Sequence, residues 1–283
     1  MSIEIVVSKQ NADGGWPYVR GVSWTEPTVY AVLALLAAGE MAPAKRGLNW
    51  LHARQLADGG WPPQAGVDES TWVTSLVALL PAEHLGAGVH AQAIAWLMAA
   101  EGQESTALYR FREWLLGHAR SPEQEFAGWP WIPGAAAWVG PTSLAILALD
   151  KEQRRRPTAA IGARIDEGRR FLLSRMCREG GWNHGSVRAL GYESNPYPET
   201  TGMALAALRG VHAPQLDLAL PAAQRFLAVC RSADALNWLR LGLLAHGQLQ
   251  PGFCPSAPVA YRTLPDMSLN LLVAEAQKGN PVF

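Results

Sequence analysis

Five stretches of the chain are apolar nearly throughout, each opening on a hydroxyl residue just after polar or turn-forming positions. They are Glu26-Pro-Thr28-Val-Tyr-Ala-Val-Leu-Ala-Leu-Leu, Glu69-Ser-Thr71-Trp-Val-Thr-Ser-Leu-Val-Ala-Leu, Pro141-Thr142-Ser-Leu-Ala-Ile-Leu-Ala-Leu, Glu199-Thr-Thr201-Gly-Met-Ala-Leu-Ala-Ala-Leu and Asp266-Met-Ser268-Leu-Asn-Leu-Leu-Val-Ala. A helix that is apolar all round is a buried one. Between these lie segments 44–56, 89–100, 165–176 and 219–230, whose Arg, Lys and Gln fall on one face, the pattern of amphipathic helices in an outer layer. Two further helices, 105–117 and 233–247, follow the second and fourth units. The pattern predicts an all-α chain of eleven or twelve helices.

A turn precedes each of the first four buried stretches. It reads Gln10-Asn-Ala-Asp13-Gly14-Gly15-Trp16, then Gln55-Leu-Ala-Asp58-Gly59-Gly60-Trp61, then Gly128-Trp129-Pro130, then Glu179-Gly180-Gly181-Trp182 with Met176 in the glutamine's place. A fifth copy without tryptophan runs from Gln250-Pro-Gly-Phe253 into the last stretch. Repetition at this scale marks a helical repeat protein. Asp-Gly and Gly-Gly supply positive φ for a sharp reversal, and the tryptophan can lie on the end of the preceding helix, so the motif is read as structural.

The repeats run end to end over 283 residues with no Ser/Gly linker, which predicts one domain, 1–283. Hydrophobic residues make up 49% against 17% charged, enough to bury a large core, and no apolar run approaches the ~20 residues of a membrane span. The N-terminus has neither a basic nor a long apolar leader region, so a cytoplasmic location is expected. Twenty-four basic and 24 acidic residues balance, giving no electrostatic case for nucleic acid. The run Arg154-Arg155-Arg156 reads as a solvated loop. Cys177, Cys230 and Cys254 lack paired metal spacing and read as free thiols, with no zinc site and no other metal or cofactor implied.

The Gln-x-x-Asp-Gly-Gly-Trp copies, each leading into a Thr-containing apolar helix, resemble the QW repeats of the squalene-hopene cyclase and protein prenyltransferase β-subunit superfamily. That resemblance covers most of the chain and implies an α/α toroid, with inner helices lining a central cavity and outer helices around them. In class II terpene cyclases an Asp-x-Asp-Asp-Thr segment opens an inner helix, and its middle acid protonates an alkene or epoxide. Laid on this chain by the threonine, it falls on Val67-Asp68-Glu69-Ser70-Thr71, with Glu69 in the acid's place.

Aligned on Thr or Ser, four of the five buried stretches carry an acid two residues earlier: Glu26, Glu69, Glu199 and Asp266, with Gly140 in the third. In a toroid these positions converge on one end, so Glu26, Glu69, Glu199, Asp266 and neighbouring Asp68 are the candidate catalytic acids. Crowding and desolvation would keep one of them protonated. Acids in a first helical turn also favour the helix dipole, and capping is the competing role. His184 precedes the fourth inner helix and is a candidate partner for a carboxylic acid. Tyr18, Trp24, Tyr30, Trp72, Trp131, Trp138, Tyr192 and Tyr197 stand before or on first turns of inner helices and are candidate substrate-binding residues.

The protein prenyltransferases' zinc ligands, a magnesium-binding Asp-Asp-x-x-Asp, a P-loop, a Rossmann fingerprint and a Gly-x-Ser-x-Gly elbow are all missing. The expected function is therefore acid-initiated cyclisation or isomerisation of an isoprenoid, an isomerase or lyase activity whose partner is a hydrophobic small molecule. Peripheral membrane contact is compatible with it. Two alternatives stand beside it: a non-catalytic toroid holding a lipid, a polyprenoid or a protein partner, and a carbohydrate-active α/α barrel with paired carboxylates at its rim.

Overall fold

All four turn tryptophans are fully buried and make the same two hydrogen bonds. The indole N–H donates to a carbonyl at the end of the preceding outer helix, at Val6, Leu51, Leu97 or Leu172, over 2.6–2.8 Å. The main-chain N–H donates to a threonine hydroxyl one turn into the following inner helix, Thr28, Thr74, Thr142 or Thr201, over 2.9–3.0 Å. One residue thus satisfies an orphan carbonyl at a helix C-terminus with its side chain and, with its main-chain N–H, fixes where the next helix begins.

The computed structural model describes residues 2–117, 125–185, 188–189, 192–250, 253, 259–280 and 282, with backbone alone at 188–189 and 192–193. Its α-helices are α1 (Ile3–Ser8), α2 (Thr25–Ala37), α3 (Met41–His52), α4 (Val73–Ala78), α5 (Ala82–Leu85), α6 (Ala87–Ala99), α7 (Ala107–Leu115), α8 (Val139–Arg155), α9 (Ala159–Ser174), α10 (Pro198–Ala207), α11 (Leu216–Val229), α12 (Ala233–Ala245) and α13 (Leu264–Gln277). A two-residue hairpin, Arg188–Ala189 against Tyr192–Glu193, interrupts this all-α chain. Helices α2, α4, α8, α10, α12 and α13 each pack on the next, and α13 packs back on α2. They close an inner ring. Helices α1, α3, α6, α9 and α11 lie against it from outside, giving an α/α toroid.

The repeated letters of the turn have separate tasks. Gln10 and Gln55 donate to their own turn, at Gly14 and Gly59, and to the next outer helix, at Pro43 and Val89. Asp13 and Asp58 accept the Gly15 and Gly60 N–H and the indole N–H of Trp50 or Trp96 on that same outer helix. Gly14 and Gly59 have positive φ, and a Cβ at either would stand 2.8 Å from the backbone oxygen of Arg46 or Gln92. Where the third turn lacks glutamine, Arg164 reaches from α9 to the carbonyls of Ala100, Ala127 and Gly128, its guanidinium 3.3 Å over Trp129.

Three expectations are corrected. The second unit is anchored by Thr74, not Thr71. Thr71 instead pairs its N–H with the Trp61 carbonyl, as Trp24, Trp138 and Tyr197 do with their own tryptophans. The second unit spans the interval to its threonine with one residue fewer, and α4 starts correspondingly late. Segment 233–247 forms the inner-ring helix α12 rather than an accessory, reached from α11 without a tryptophan turn and capped by Ser232. It packs closely on α10, where a Cβ at Gly202 would lie 2.3 Å from the Trp238 carbonyl carbon. The 154–156 run is not a free loop, because α8 extends through Arg155, with Arg154 on Asp150 and Arg155 on Glu152. The fifth turn copy lies mostly outside the described residues.

The register makes a sharp contrast in stability. Thr74→Val strips a buried N–H of its acceptor and should cost about 1–3 kcal/mol. The buried Thr71 hydroxyl has no partner among the described residues, so Thr71→Val should change stability by less than about 0.5 kcal/mol or raise it. Urea unfolding of both variants at a common m-value checks this.

Candidate functional site

The inner helices start at one end of the ring, and loop-to-loop main-chain bonds hold that end together. Thr25, Trp72, Val139 and Leu264 open or precede α2, α4, α8 and α13. Their N–H groups donate to the carbonyls of Pro63, Trp131, His184 and Tyr18, each two residues after a turn tryptophan, over 2.7–3.0 Å. The last of these bonds joins the final inner helix to the first loop and closes the rim. Tyr18, Trp131 and His184 are therefore equivalent positions, and so are Trp24, Trp138 and Tyr197, the residues preceding α2, α8 and α10.

Carboxylates gather inside this rim. Glu26 and Glu199 stand in the first turns of α2 and α10, and Asp266 in that of α13. Among them lies Asp234, in the first turn of α12. Burial, then the charges of Glu26, Asp266 and Glu199, push its carboxyl up to about 7, against a hydrogen bond from Trp238. Burial likewise raises Glu26, as does Asp266, while a short hydrogen bond from the Tyr18 hydroxyl opposes the shift. The charges that Asp234 feels come from α2, α10 and α13, helices on both sides of α12 in the ring. Asp266 also forms a capping box, accepting the Arg262 and Thr263 N–H at Oδ2 over 3.2 and 3.0 Å while its own N–H meets Thr263 Oγ1. Capping and membership of the cluster are thus compatible.

Glu69 and Asp68 do not join the cluster. They lie exposed in the loop before α4, ahead of both Thr71 and the helix. The correct register leaves only Trp72 and Val73 before Thr74, so this sector has no acid. Trp72 packs edge-on against Trp131, ring centroids 4.9 Å apart at 86°. Trp131 also covers Gly140, the residue in the acid's place on α8. Acids thus occupy four consecutive helices of the ring (α10, α12, α13, α2) and tryptophans the remaining two.

The other aromatic candidates sit around the same rim. Tyr18 packs edge-on against Trp24 at 5.5 Å. Tyr30, buried one turn further into α2, has its hydroxyl raised by burial and by the charges of Glu26 and Asp234. His184 is exposed between Trp138 and Tyr197, ring centroids 6.0 and 5.2 Å away, so it completes an aromatic group. The Tyr192 side chain lies outside the described residues. Asp234 escaped sequence analysis because its helix lacks the tryptophan turn, although Ser232-Ala-Asp234 ahead of an apolar run is a readable helix start.

The opposite end of the ring carries positive charge. Arg154, Arg169 and Arg209 converge on Asp150, and Arg155 pairs with Glu152. Arg154 and Arg155 lie in the last turn of α8, where the helix dipole favours cations. Among the described residues no His, Cys, Asp or Glu group has a metal-binding arrangement, no helix is long and apolar enough to cross a membrane, and Cys177 and Cys230 are free thiols.

No protein-family model and no curated protein matches the chain. Among solved structures it is similar to a glycosyl hydrolase family 8 (GH8) endo-β-1,4-glucanase from an Achatina fulica gut metagenomic library, at 16% identity over 98% of each chain and a TM-score of 0.61. It is also similar to a family 8 endoglucanase from Klebsiella pneumoniae, at 14% identity over 98% of each chain and 0.60. A protein from Actinoplanes shares 18% identity over 98% of this chain and 78% of its own, at 0.55. At these identities the likeness carries the fold, an α/α toroid.

These neighbours correct the resemblance to squalene-hopene cyclases and prenyltransferase β-subunits. With it fall the terpene-cyclase function, the isomerase or lyase activity and the isoprenoid or lipid partner. The physical reasons agree. Glu69, the residue laid on the cyclase acid, is exposed in the loop before α4 and stands apart from the acids that do converge.

Asp234 has a consequence for stability. Its carboxyl is raised in the folded state, so between the unfolded value near 4 and about 7 the folded protein holds a proton that the unfolded chain has released. Folding stability therefore falls as pH rises through this window. Asp234→Asn should stabilise the protein by on the order of 4 kcal/mol at pH 8, at about 1.4 kcal/mol per pKa unit over about three units, with the gain vanishing near pH 4. Thermal melts of both proteins from pH 4 to 8 measure it.

Proposed function

We propose that the chain is a glycan-cleaving enzyme acting at this mouth, through a pair of carboxyl groups set among aromatic rings. The observation that carries the reading is the placement of Glu26, Glu199, Asp234 and Asp266 on four adjoining inner helices, with Trp72 and Trp131 completing the ring. Sugar rings offer apolar C–H faces to aromatic side chains and hydroxyl edges to carboxylates, and glycosidic cleavage requires one protonated and one ionised carboxyl group. The family 8 glucanases sharing the fold support the same reading.

Asp234 is assigned as the general acid, since burial and three neighbouring acids keep its proton on near neutrality. It gives that proton to the glycosidic oxygen as the bond to the anomeric carbon breaks. Asp266, its orientation fixed by the Arg262 and Thr263 N–H groups, takes a proton from the water whose oxygen bonds the anomeric carbon. The products are two shorter glycans, and each carboxyl regains its starting state by exchange with solvent. Glu26 and Glu199 hold the proton on Asp234 by like charge, and Tyr18 orients Glu26. A single toroid domain over 1–283 is part of this proposal. So is a cytoplasmic setting, which the free Cys177 and Cys230 thiols suit.

Reducing-end release from soluble cello-, xylo- and chito-oligosaccharides and mixed-linkage glucan tests the reading. The wild type should cleave at least one, and Asp234→Asn should lower kcat by about 10²–10⁴, the usual contribution of a general acid. Glu69→Gln should keep full activity. Absence of cleavage throughout, or wild-type rates in Asp234→Asn, would overturn the assignment.

A further inference from the structure

At the end of the ring away from the acids, an open cavity of about 580 Å³ lies between the α5–α6 segment and the C-terminal part of α8. Leu80, Pro81, Ala82 and Val282 give it an apolar side. The rest of its lining is charged, with Lys151, Arg154, Arg155 and Arg209 against the two carboxylates of Glu83 and Glu152. Neighbouring acids do not cancel the excess. Arg154 and Arg209 share the single Asp150 carboxylate with Arg169, and Glu152 is taken by Arg155, which donates from Nε and Nη2 over 2.8 and 2.9 Å.

Two polar groups of this lining are short of a partner. Lys151 is half-buried, yet among the described residues its Nζ donates only to the Leu79 carbonyl, at 2.8 Å, and pairs with no carboxylate. Burial lowers its pKa, and only the charge of Glu83 opposes that shift. Charges withdrawn from water are as a rule paired, so Lys151 lacks a counter-ion. His90, 4% exposed, donates from Nε2 to the Ala78 carbonyl at 3.1 Å. Its buried Nδ1 has no hydrogen-bond partner among the described residues and stands 3.9 Å from Glu152 Oε2. The dipole at the end of α8 accounts for Arg154 and Arg155, both exposed. It supplies no anion to Lys151, one turn back and half-buried.

We propose that this cavity binds a small molecule carrying a phosphate group, with the phosphate on Lys151 and on the donors of Arg155 and Arg209 that Glu152 and Asp150 leave unused. A phosphate brings close to two negative charges and three acceptor oxygens, which matches cations on separate helices and an excess of more than one charge. The volume falls within the ~300–1,000 Å³ of small-molecule sites and exceeds what a bare phosphate fills, so the body of the ligand lies along Leu80, Pro81 and Ala82. The site is separate from the carboxyl groups of the mouth, and the inference stands independently of the glycan-cleaving reading.

Calorimetric titration of the full chain at fixed ionic strength tests it, with a hexose 6-phosphate, a nucleoside monophosphate and inorganic phosphate as probes and the free hexose and chloride as blanks. At least one ester should bind, and more tightly than inorganic phosphate. Lys151→Met and Arg209→Gln should each weaken that binding about tenfold, the scale of one charge-assisted hydrogen bond. Lys151→Arg should retain it, and Lys45→Gln on the exposed side of α3 should leave it unchanged. Melts establish that each variant folds, and the exposed Arg209 keeps the test in force should Lys151→Met not fold. Absence of binding by every phosphate probe would overturn the proposal. So would equal affinity for inorganic phosphate and the esters, wild-type affinity in both Lys151→Met and Arg209→Gln, or an equal loss in Lys45→Gln.

Discussion

The double hydrogen bond of the turn tryptophan is the constraint on which the toroid depends. An α-helix leaves carbonyls unsatisfied at its C-terminus, and a buried helix end needs partners for them. Here the indole N–H supplies the partner and the same residue's main-chain N–H is tied to a threonine in the next inner helix. The axial positions of α2, α4, α8 and α10 are thereby set relative to the outer helix before each. The turn's Gln and Asp extend the tie to the outer helix after it. Three helices are registered by one short loop, and repetition around the ring makes their N-termini coincide.

That coincidence is what creates a site. Helix N-termini tolerate acids, and bringing several to one end concentrates carboxyl groups where water is partly excluded. The dipole contribution is about 0.3–1 kcal/mol for a first-turn acid, whereas burial among like charges shifts carboxyl groups by several pKa units. Burial wins at Asp234, and the resulting proton affinity destabilises the charged folded state. The cost falls on a ring whose α10–α12 crossing is tight enough to exclude a side chain at Gly202 and whose rim is closed by main-chain bonds. A site of high proton affinity is held there by surroundings that do not depend on it.

Much of the fold was readable because the turn is nearly copied. Gly-Gly-Trp fixes backbone conformation and burial together, so its copies marked a helical repeat chain, their resemblance to QW repeats implied the toroid, and Glu26, Glu199 and Asp266 were readable as a set. The second unit shows why this runs out. Glu69-Ser-Thr-Trp-Val-Thr74 offers two threonines three residues apart, and hydrophobic pattern does not distinguish them. Only the tryptophan N–H does, and the choice moves Glu69 from the mouth to an exposed loop. Asp234 went unread for the opposite reason, because α12 enters the inner ring from an outer helix without any tryptophan turn. The chemistry was misread because the turn, shared by sequence resemblance with one group of toroids, reports how helices are joined and carries no information about what lies at their N-termini.

Equivalent ring positions here hold glutamate on α2 and α10, aspartate on α13, and glycine covered by tryptophan on α8, while the second unit omits the position. The tryptophan–threonine tie is the same beneath all the units that have it. Scaffold and chemistry therefore vary independently, and a residue's role follows from its ring neighbours more than from its own sequence motif. Glu26 would be an ordinary first-turn acid were α12 and α13 to begin with serine. With Asp234 and Asp266 beside it, it becomes part of a shared proton site, because the closed ring keeps α2, α12 and α13 from separating to relieve the charge.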